Sequence, residues 1–458
     1  MSQLNAAALV RLTAAIARPA FDPAKLKTGI VHLGIGAFHR AHQAVFTEDA
    51  IAAKGGDWGI VGASLKHPGV PDTLAAQDDL YTVESLGTAT RYRVMGVIRG
   101  ALFAPRDRPA LLGALTAPTT HAVTLTLSEK GYCLAADGSL DFAHPDIAAD
   151  LNQPAEPRSA IGWLALAMKE RQRNGAGPLT ILSCDNLKSN GPKLEAAVVA
   201  FAEHCWPGVA PWIRANAAFP ATLVDCIVPA SDAAHRARVS AALGFEDQAS
   251  VQREEFAQWA IEDRFTGPLP AWGAAGAEIV ADISGHERLK LHVLNGTHSA
   301  LAYLGLPCGH MYVRQAIADA DLCAFLEEMV AREIAPALAP LDVASYWRTV
   351  KTRFENPMID HRLGQIAEDG SLKLPQRLFP LLEANIKAGG EFSRLARVIA
   401  AWLALMATRP PRDPANDWFD AWAKAGADKA VALDNTALFP AIFREHAELR
   451  AAILAPKL

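Results

Sequence analysis

A β-branched run that enters a Gly-x-Gly turn is the feature that most constrains the fold of this chain. The segment reads Ile30-Val-His-Leu-Gly34-Ile-Gly36-Ala-Phe38-His-Arg40, and a helix-like stretch follows it. Glycine at 34 permits a tight turn, and glycine at 36 lets backbone N–H groups approach a pyrophosphate at a helix N-terminus. His39 occupies the position of the usual third glycine. The pattern predicts the first strand, turn and helix of a Rossmann-type dinucleotide-binding domain.

Strand-like and helix-like segments alternate in the first part of the chain, which is typical of a mainly parallel sheet covered by helices. The predicted strands are Ile30–Leu33, Gly59–Ser64, Tyr92–Val97, Ala122–Ser128 and Leu179–Ser183. The predicted helices are Leu4–Arg18, Thr47–Lys54 and Ile161–Arg173. The predicted fold class is therefore α/β.

The pattern becomes helical after about Ser284. The helices predicted there are Gly285–Leu304, Val313–Ile334, Tyr346–Thr352, Pro380–Ala388, Phe392–Ala407 and Asp417–Ala425. A chain of 458 residues is long for one domain and suits two. We expect a Rossmann-type domain over residues 1–283 and a mostly α-helical substrate-binding domain over 284–458, with the active site in the cleft between them.

The composition argues against several classes of partner. The net charge of −5 provides no basic surface for nucleic acid or an anionic membrane. Apolar runs such as Val398–Ala407 are too short to span a bilayer. Six scattered cysteines without a Cys-x-x-Cys pattern predict reduced thiols and a cytoplasmic location.

A second informative segment, Lys290-Leu-His-Val-Leu-Asn295-Gly-Thr-His298-Ser, lies at the predicted domain boundary. In a helix of about 100° per residue, Asn295 lies about 140° and His298 about 80° round from Lys290, so the three share one side. Desolvation lowers the pKa of a lysine, which suits a general base. By itself the segment is better explained as a snorkelling lysine, a capped asparagine and a surface histidine. The nucleotide-binding turn favours the catalytic interpretation.

Polar residues follow further apolar stretches, at positions where open α/β sheets bind ligands. Asn186 follows the last predicted strand and could donate to a developing alkoxide or cap a turn. Glu129 follows the strand before it, with the same ambiguity. Asp225 lies inside an apolar stretch and needs a partner there. The polar stretch Asp369–Arg377 lies between predicted helices, and we expect a solvated turn.

Four motifs occur in one order along the chain: Gly34-x-Gly36-x-Phe38-x-Arg40-Ala-His42, Glu129-Lys130-Gly131-Tyr132, Ser183-Cys184-Asp185-Asn186 and Lys290-x4-Asn295-Gly-x-His298-Ser. In order and spacing they resemble the mannitol dehydrogenase family, the polyol-specific long-chain dehydrogenases and reductases. The resemblance covers about Gly29 to about Arg377 and is loose beyond. It implies a Rossmann-type N-terminal domain, a largely helical C-terminal domain and metal-independent hydride transfer with a nicotinamide cofactor.

The resemblance also implies a role for each matched residue. Lys290 would be the general base, which takes the hydroxyl proton as hydride leaves the carbinol carbon. Asn186 and Asn295 would donate to the developing alkoxide. His298 would orient the substrate and its reacting oxygen.

Two acids and a set of cofactor contacts complete what the resemblance implies. Asp225 would lie beside the lysine, and Glu287 would control proton and water access. The residues implied in cofactor binding are Gly34, Gly36, Phe38, Arg40, Glu129 and Asn186.

The substrate is open because the chain departs from the mannitol-specific pattern. Gln365 stands where mannitol-specific members carry an arginine that contacts the polyol, and the segment from Asn356 to Arg377 is closer to the fructuronate reductase branch. Substrate binding would involve Asn295 and His298 together with Arg362, Lys373 and Arg377. The substrate is either a sugar alcohol of mannitol, arabinitol or sorbitol type and its ketose, or a hexuronate and its aldonate.

The cofactor has a default and an alternative. Ser64-Leu65-Lys66-His67-Pro68 follows the second strand and holds no acid to bond a ribose 2′-hydroxyl. NAD is the family default, and Lys66 and His67 leave NADP open.

Competing classes are less compatible with these residues. A nucleotide-binding sensor without catalysis would not need Lys290, Asn295, His298 and Asn186 together. A zinc alcohol dehydrogenase is disfavoured because ligand-spaced Cys and His sets are missing, and a short-chain dehydrogenase because no Tyr-x-x-x-Lys occurs. We expect no metal, and a monomer or a small homo-oligomer.

Overall fold

The computed structural model describes residues 1–455. These residues form two compact units, of which the first spans Met1–Ile283 and the second begins at Ser284. Each unit has a buried core of its own. Among the described residues, no helix combines the length and the apolar character needed to cross a membrane.

The strands of the described chain lie in the first unit. They are β1 (Thr28–Leu33), β2 (Gly59–Ser64), β3 (Tyr81–Leu86), β4 (Arg91–Met95), β5 (Ile98–Phe103), β6 (Ala122–Leu125), β7 (Leu179–Ser183), β8 (Ala217–Ala218), β9 (Thr222–Asp225), β10 (Val251–Glu254), β11 (Gln258–Glu262) and β12 (Glu278–Val280).

The largest sheet has six parallel strands in the order β5-β2-β1-β6-β7-β8. Counted along the chain these strands run 3-2-1-4-5-6, the order of a dinucleotide-binding Rossmann domain. The order reverses between β1 and β6, which pair from Ile30 opposite Ala122 to Leu33 opposite Leu125. Ligands of such sheets bind beyond the carboxyl ends of the strands at this reversal. The Rossmann-type prediction is confirmed.

Helices cover both faces of this sheet, so its strands are buried on both sides. Val31 and Leu33 of β1 join the core that contains the helix Ala160–Asn174, whereas Ile30 joins the core against the helix Gln43–Lys54. The α-helices of the first unit are Ala37–Ala41, Gln43–Lys54, Gly69–Ala75, Arg108–Thr116, Pro145–Asn152, Ala160–Asn174, Asn190–Cys205, Ala210–Asn216 and Ala233–Leu243, and its 3₁₀ helices are Ala6–Arg11, Pro23–Lys25, Glu129–Tyr132 and Trp272–Ala275.

The strand predicted over Tyr92–Val97 is two strands in the structure. β4 pairs antiparallel with β3 in the small sheet β10-β3-β4, and β5 forms the edge of the large sheet. Gly96 separates them, because its N–H donates to the Glu48 carboxylate at 2.7 Å and not to a neighbouring strand. β9 belongs to a third sheet, β12-β11-β9, which the sequence analysis did not predict.

The leading helix predicted over Leu4–Arg18 is wrong. A 3₁₀ helix covers Ala6–Arg11, and the chain is extended at Leu12. The Arg18 guanidinium donates to the carbonyl oxygens of Leu9 at 2.9 Å and Leu12 at 3.0 Å, which a continuing helix would use for its own N–H groups.

The described part of the second unit is helical, as predicted. Its α-helices are Ser284–Arg288, Asn295–Gly305, Val313–Ala318, Ala320–Met329, Ala335–Leu338, Val343–Phe354, Leu363–Ala367, Gly370–Arg377, Phe379–Ala388, Ser393–Thr408, Asn416–Lys424, Lys429–Leu433, Ile442–Glu445 and Ala447–Leu454, and π turns cover Leu289–Leu294 and Val330–Ile334. The helix predicted over Val313–Ile334 breaks at Asp319, whose carboxylate accepts from the N–H groups of Asp321 and Leu322 and so starts a new helix.

The solvated turn expected at Asp369–Arg377 is a helix, Gly370–Arg377. Its polar start is satisfied inside the unit, since the Asp413 carboxylate accepts from the Ser371 N–H at 2.8 Å and from the Ser371 hydroxyl at 2.5 Å. Gly370 permits a close approach, because a Cβ there would collide with Trp402 and Tyr303.

Candidate active site

The turn after β1 has no room for a side chain at its first glycine. Gly34 adopts φ +101°, and a Cβ there would collide with the carbonyl oxygen of Thr126. The turn is fixed on both sides, because the Gly34 N–H donates to the carbonyl of Ala63 at 2.8 Å and the Thr126 hydroxyl donates to the carbonyl of Gly34 at 2.8 Å. Gly36 is exposed, and the nearest atom to a Cβ there is 3.7 Å away. The space beside Gly36 is therefore open to a ligand.

A stacked pair of imidazoles replaces the third glycine of the usual fingerprint. The ring of His39 lies on the ring of His32 from β1, with centroids 3.4 Å apart and planes 12° apart. The two nitrogens of His32 contact the hydroxyls of Thr124 at 2.7 Å and Thr126 at 2.9 Å. Burial lowers the pKa of His32 to about 3, so the ring is neutral. Flat neutral rings keep the helix close to the strand where a glycine normally does.

Two of the expected cofactor residues lie against the protein interior. The Arg40 guanidinium is buried and donates to the carbonyl oxygens of Gly36 at 3.3 Å and of Ala249. Phe38 is half-buried and stacks on His42 with ring centroids 5.0 Å apart. The Arg40 hydrogen bonds thus attach the glycine turn to the protein interior.

The chain segments that leave β6 and β7 carry the expected residues Glu129 and Asn186. Both side chains are exposed at the carboxyl edge of the sheet. The side chain beside Asn186, Asp185, accepts from the Leu127 N–H at 2.8 Å and from the Tyr132 hydroxyl at 2.6 Å. Burial raises the pKa of Asp185, and these hydrogen bonds oppose that rise.

Asp225 is the buried last residue of β9 and lies opposite Gln258 of β11. In the second unit, Glu287 is half-buried in the helical turn that precedes Lys290.

A π turn, which the sequence analysis did not predict, contains Lys290. It covers Leu289–Leu294, and the Asn295 N–H donates to the carbonyl of Lys290 five residues earlier. A π turn holds more residues per turn than an α-helix, so residues i and i+5 lie closer in angle than the roughly 140° that separates them in an α-helix. The π turn therefore brings Lys290 and Asn295 closer to one face than the predicted helix does.

His298 follows on the next α-helical turn and is buried. Its ring lies 4.3 Å from the Phe354 ring and 5.1 Å from the His361 ring, measured between centroids. Within residues 1–455 its Nε2 has no hydrogen-bond partner. Burial, followed by the positive charges of His361, Arg353 and Arg377, lowers the pKa of His298 well below its ordinary value. The imidazole is therefore neutral, and one of its nitrogens is available to a ligand.

Lys373 and Arg377 are half-buried and lie one turn apart on the helix Gly370–Arg377. The Lys373 ammonium donates to the carbonyl of Ile366 at 3.3 Å, and the Arg377 guanidinium donates to the Ser299 hydroxyl at 3.0 Å. In the described chain no carboxylate lies within ion-pair distance of either. Burial and then the charge of Arg377 lower the pKa of Lys373, although Asp369, Glu368 and Asp413 oppose this. We call His298, His361, Lys373 and Arg377 the basic cluster.

Arg362, the third basic residue expected in substrate binding, is exposed. Its backbone forms an isolated bridge with Tyr312. We therefore leave Arg362 out of the basic cluster.

One group of side chains in the first unit has metal-ligand chemistry. Ligand atoms of Cys133, His144 and Asp146 lie within 4.8 Å of one another. The His144 Nδ1 already accepts from the Asp146 N–H at 3.2 Å, and the Asp146 carboxylate is 3.3 Å from the Lys66 ammonium. Two of the three ligands are thus engaged by the protein, and we assign no metal to them.

Comparisons with known proteins agree with this fold. The family descriptions that match are the Mannitol dehydrogenase Rossmann domain, over residues 28–274, and the Mannitol dehydrogenase C-terminal domain, over residues 282–432. The chain is 39% identical to D-mannonate oxidoreductase of Escherichia coli (strain K12), over 85% of this chain and 82% of that protein. It is 37% identical to mannitol 2-dehydrogenase of Cereibacter sphaeroides, over 85% and 83%.

A solved structure is similar over almost the whole chain. It is the Pseudomonas fluorescens mannitol 2-dehydrogenase ternary complex with NAD and D-mannitol, with a TM-score of 0.82, 33% identity, and coverage of 99% of this chain and 95% of that one. The sheet order and the glycine turn define the class of Rossmann dehydrogenases. Within that class the chain belongs to the mannitol dehydrogenase family, oxidoreductases that act on CH–OH groups.

Several residues that contact the candidate site residues have no role predicted from the sequence. Tyr132 and Asp185 were inside motifs, and His361 was inside a segment used only to compare branches of the family. Of these, only Asp185 has a local signal, because a carboxylate soon after the apolar strand β7 needs a partner that the sequence does not identify.

Substitutions of the two glycines of the turn, Gly34 and Gly36, should have different effects on stability and on cofactor binding. Gly34→Ala should lower the free energy of unfolding by roughly 2–4 kcal/mol, because it combines a positive φ with a backbone collision. Gly36→Ala should cost about 1 kcal/mol or less in stability, as for other changes at an exposed helix start. It should weaken NADH binding by about tenfold (about 1.4 kcal/mol), because the methyl group enters the open space beside the turn. Denaturant unfolding and NADH fluorescence titration measure the two effects, and equal stability of both variants would contradict this account of the turn.

Proposed function

We propose that the protein oxidises a secondary alcohol of an acyclic sugar derivative, and reduces the matching ketone, with a nicotinamide cofactor. The observation that carries the proposal is the helical segment Ser284–Gly305. Within it the backbone N–H of Asn295 donates to the carbonyl of Lys290 through the π turn. His298 has a neutral buried ring whose Nε2 lacks a hydrogen-bond partner among the described residues. A base, an amide donor and an orienting imidazole are the groups that alcohol oxidation without a metal requires.

The first unit has the residues to hold the cofactor. The open space at Gly36 and the first N–H groups of the helix Ala37–Ala41 suit a diphosphate. Glu129 and Asn186 follow the neighbouring strands β6 and β7. We propose that Arg40 and Phe38 act by supporting this turn. When bound, the nicotinamide supplies the hydride acceptor for alcohol oxidation.

NAD is the cofactor we propose over NADP. The cations near the end of β2 already have anionic partners, since the Lys66 ammonium lies 3.3 Å from Asp146 and the Arg106 guanidinium 2.8 Å from Asp72. The hydroxyl of Ser64 accepts from the His67 N–H at 3.3 Å. A 2′-phosphate would have to displace these contacts.

The proposed chemistry assigns one task to each side chain. Lys290 takes the proton of the substrate hydroxyl, and a lysine acts as a base only when it is neutral. The amides of Asn295 and Asn186 donate to the oxygen as negative charge develops on it. His298 donates or accepts through its Nε2 to orient that oxygen.

The two acids have supporting tasks in the proposal. Asp225 is buried, so its charge acts at short range on the groups that surround it. Glu287, one helical turn before Lys290, is the candidate for relaying a proton towards water.

Lys290→Ala should lower kcat by roughly 10²–10⁴-fold, the usual contribution of a general base. The dissociation constant of NADH should stay within about threefold (under 1 kcal/mol), because the lysine acts on substrate. Steady-state kinetics and NADH titration measure the two, and small primary amines should restore part of the rate.

Arg288→Ala is the matched control for Lys290→Ala. Arg288 is exposed, and its guanidinium donates to the carbonyl of Ala337 at 3.3 Å. Its loss should leave kcat unchanged. If Lys290→Ala retains more than about a tenth of wild-type turnover, the base lies elsewhere.

Metal removal should leave turnover unchanged. The proposed alkoxide donors are amides and the proposed base is an amine, so no step requires a Lewis acid. The assay is exhaustive dialysis against a chelator, followed by kinetics with and without added Zn²⁺. Loss of activity that Zn²⁺ alone restores would exclude the lysine mechanism.

A neutral polyol is the first substrate candidate. The similar proteins include mannitol 2-dehydrogenases, one of them solved with D-mannitol. Hydroxyl groups of a polyol can be met by Asn295, His298 and the Arg377 side chain, which are all near one helix.

An aldonate and its hexuronate are the second candidate, and the basic cluster favours them. Lys373 and Arg377 lie next to each other without a carboxylate at ion-pair distance in the described chain, and the Nδ1 of His361 is buried there without a hydrogen-bond partner. Partly buried positive groups normally have an anionic partner. A substrate carboxylate would supply one, and a similar protein is a D-mannonate oxidoreductase.

Lys373→Met and Arg377→Met separate the two candidates. If the substrate is a hexuronate, each change should lower kcat/KM for fructuronate by roughly 2–4 kcal/mol and that for fructose or xylulose far less, because a charged hydrogen bond is lost. The measurement is a kinetic panel of fructose, xylulose, fructuronate and tagaturonate with NADH and NADPH. Similar losses for every substrate would indicate a polyol enzyme. NADH binding without turnover of any substrate would indicate a nucleotide sensor.

A further inference from the structure

One carboxylate joins the two chain segments at the carboxyl edge of the large sheet. The Asp185 side chain accepts from the N–H groups of Leu127 at 2.8 Å and Ser128 at 3.2 Å. It also accepts from the Tyr132 hydroxyl at 2.6 Å, and that hydroxyl lies 2.5 Å from the Ser183 hydroxyl. The segment after β6 is thus bound to the segment after β7 by one side chain.

The segment after β7 is held from its other side as well. The Asn190 amide donates to the carbonyl oxygens of Asp185 at 3.2 Å and Thr222 at 2.8 Å. Its oxygen accepts from the N–H groups of Gly191 at 2.8 Å and Thr222 at 3.0 Å. Asn186 therefore lies on a short loop that is anchored before it by Asp185 and after it by Asn190.

Both segments contain strained backbone. Ser128 has φ +68° and Ser189 has φ +53°, although neither is glycine. Such a backbone conformation is strained for a residue with a side chain and persists only when its surroundings hold it. A pure connecting loop has no need of this strain, whereas a loop that must present one side chain in one position does.

We propose that Asp185 and Tyr132 are positioning residues for the reaction, which hold Asn186 in the register that its donor role requires. The proposal rests on the proposed function, because that function gives Asn186 its role at the alkoxide. Neither residue needs to touch the substrate. Misplacement of a reacting group by about 1 Å can cost on the order of 10²-fold in rate, so one hydrogen bond that fixes the loop has a large effect on turnover.

The test removes one hydroxyl. Tyr132→Phe should lower kcat by about tenfold or more, with the dissociation constant of NADH within about threefold. With substrate deuterated at the carbinol carbon, the isotope effect on kcat should rise, because a misplaced donor slows the chemical step. Ser183→Ala removes the other hydrogen bond of the Tyr132 hydroxyl. It should lower kcat and raise the isotope effect in the same direction, but by less than Tyr132→Phe does.

Tyr92→Phe is the control for a merely structural effect. Its hydroxyl donates to the Glu84 carboxylate at 3.1 Å in the sheet β10-β3-β4, so it also loses a tyrosine–carboxylate hydrogen bond. It should lose thermal stability comparably and keep kcat and the isotope effect of the wild type. A kcat for Tyr132→Phe within threefold of wild type, or an equal loss in Tyr92→Phe, would overturn the proposal.

A double variant separates failure of this inference from failure of the proposed function. If Tyr132 acts through Asn186, then Tyr132→Phe combined with Asn186→Ala should lose no more kcat than Asn186→Ala alone. Losses that multiply would refute the positioning role and leave the role of Asn186 intact. Full activity of Asn186→Ala alone would instead refute the donor role of Asn186, and the positioning role with it.

Discussion

The candidate site of the first unit depends on how closely the end of β1 approaches the chain that leaves β6. A side chain at Gly34 would collide with the carbonyl of Thr126, and the Thr126 hydroxyl donates back to the carbonyl of Gly34. The next two N–H groups along this chain donate to Asp185. One short segment therefore determines both the diphosphate turn and the loop of Asn186. A shift of either loop would break hydrogen bonds that satisfy backbone groups of this segment.

In the second unit, the positions of Lys290 and Asn295 depend on the number of residues per helical turn and not on contacts between loops. An α-helix would separate Lys290 from Asn295 by about 140°, and the π turn reduces that angle. The Arg377 guanidinium then donates to the carbonyl of Asn295 at 3.3 Å, while His292 contacts the carbonyl of Arg377 at 2.8 Å. The helix Gly370–Arg377 is thus attached to the segment of Lys290 and Asn295, where the π turn ends and the next α-helix begins. This attachment fixes Lys373 and Arg377 relative to His298 within the basic cluster.

The sequence predicts those parts whose signal is local. The Gly34 turn and strands β2 and β7 were found as predicted, because continuous apolar runs ended by turn residues determine them. The break at Gly96 was missed because it depends on a hydrogen bond to Glu48, which is distant in sequence. The π turn was missed because the apolar spacing of its sequence is also compatible with an α-helix. The helix at Asp369–Arg377 was read as a turn because Asp413, its internal partner, lies beyond it in sequence.

The electrostatics of the basic cluster have a consequence for substrate choice. Burial, followed by neighbouring positive charges, lowers the pKa values of Lys373, His361 and His298. A bound carboxylate stabilises the charged forms and must raise these pKa values. Binding of an aldonate would therefore be coupled to proton uptake. Its affinity would be highest below the pKa values of the free cluster and would fall as pH rises from these to the raised pKa values of the complex. A neutral polyol brings no negative charge to the basic cluster. Its binding should therefore not raise these pKa values through charge, as a bound carboxylate would. The pH dependence of substrate affinity thus distinguishes a charged aldonate from a neutral polyol, whichever hydroxyl group reacts.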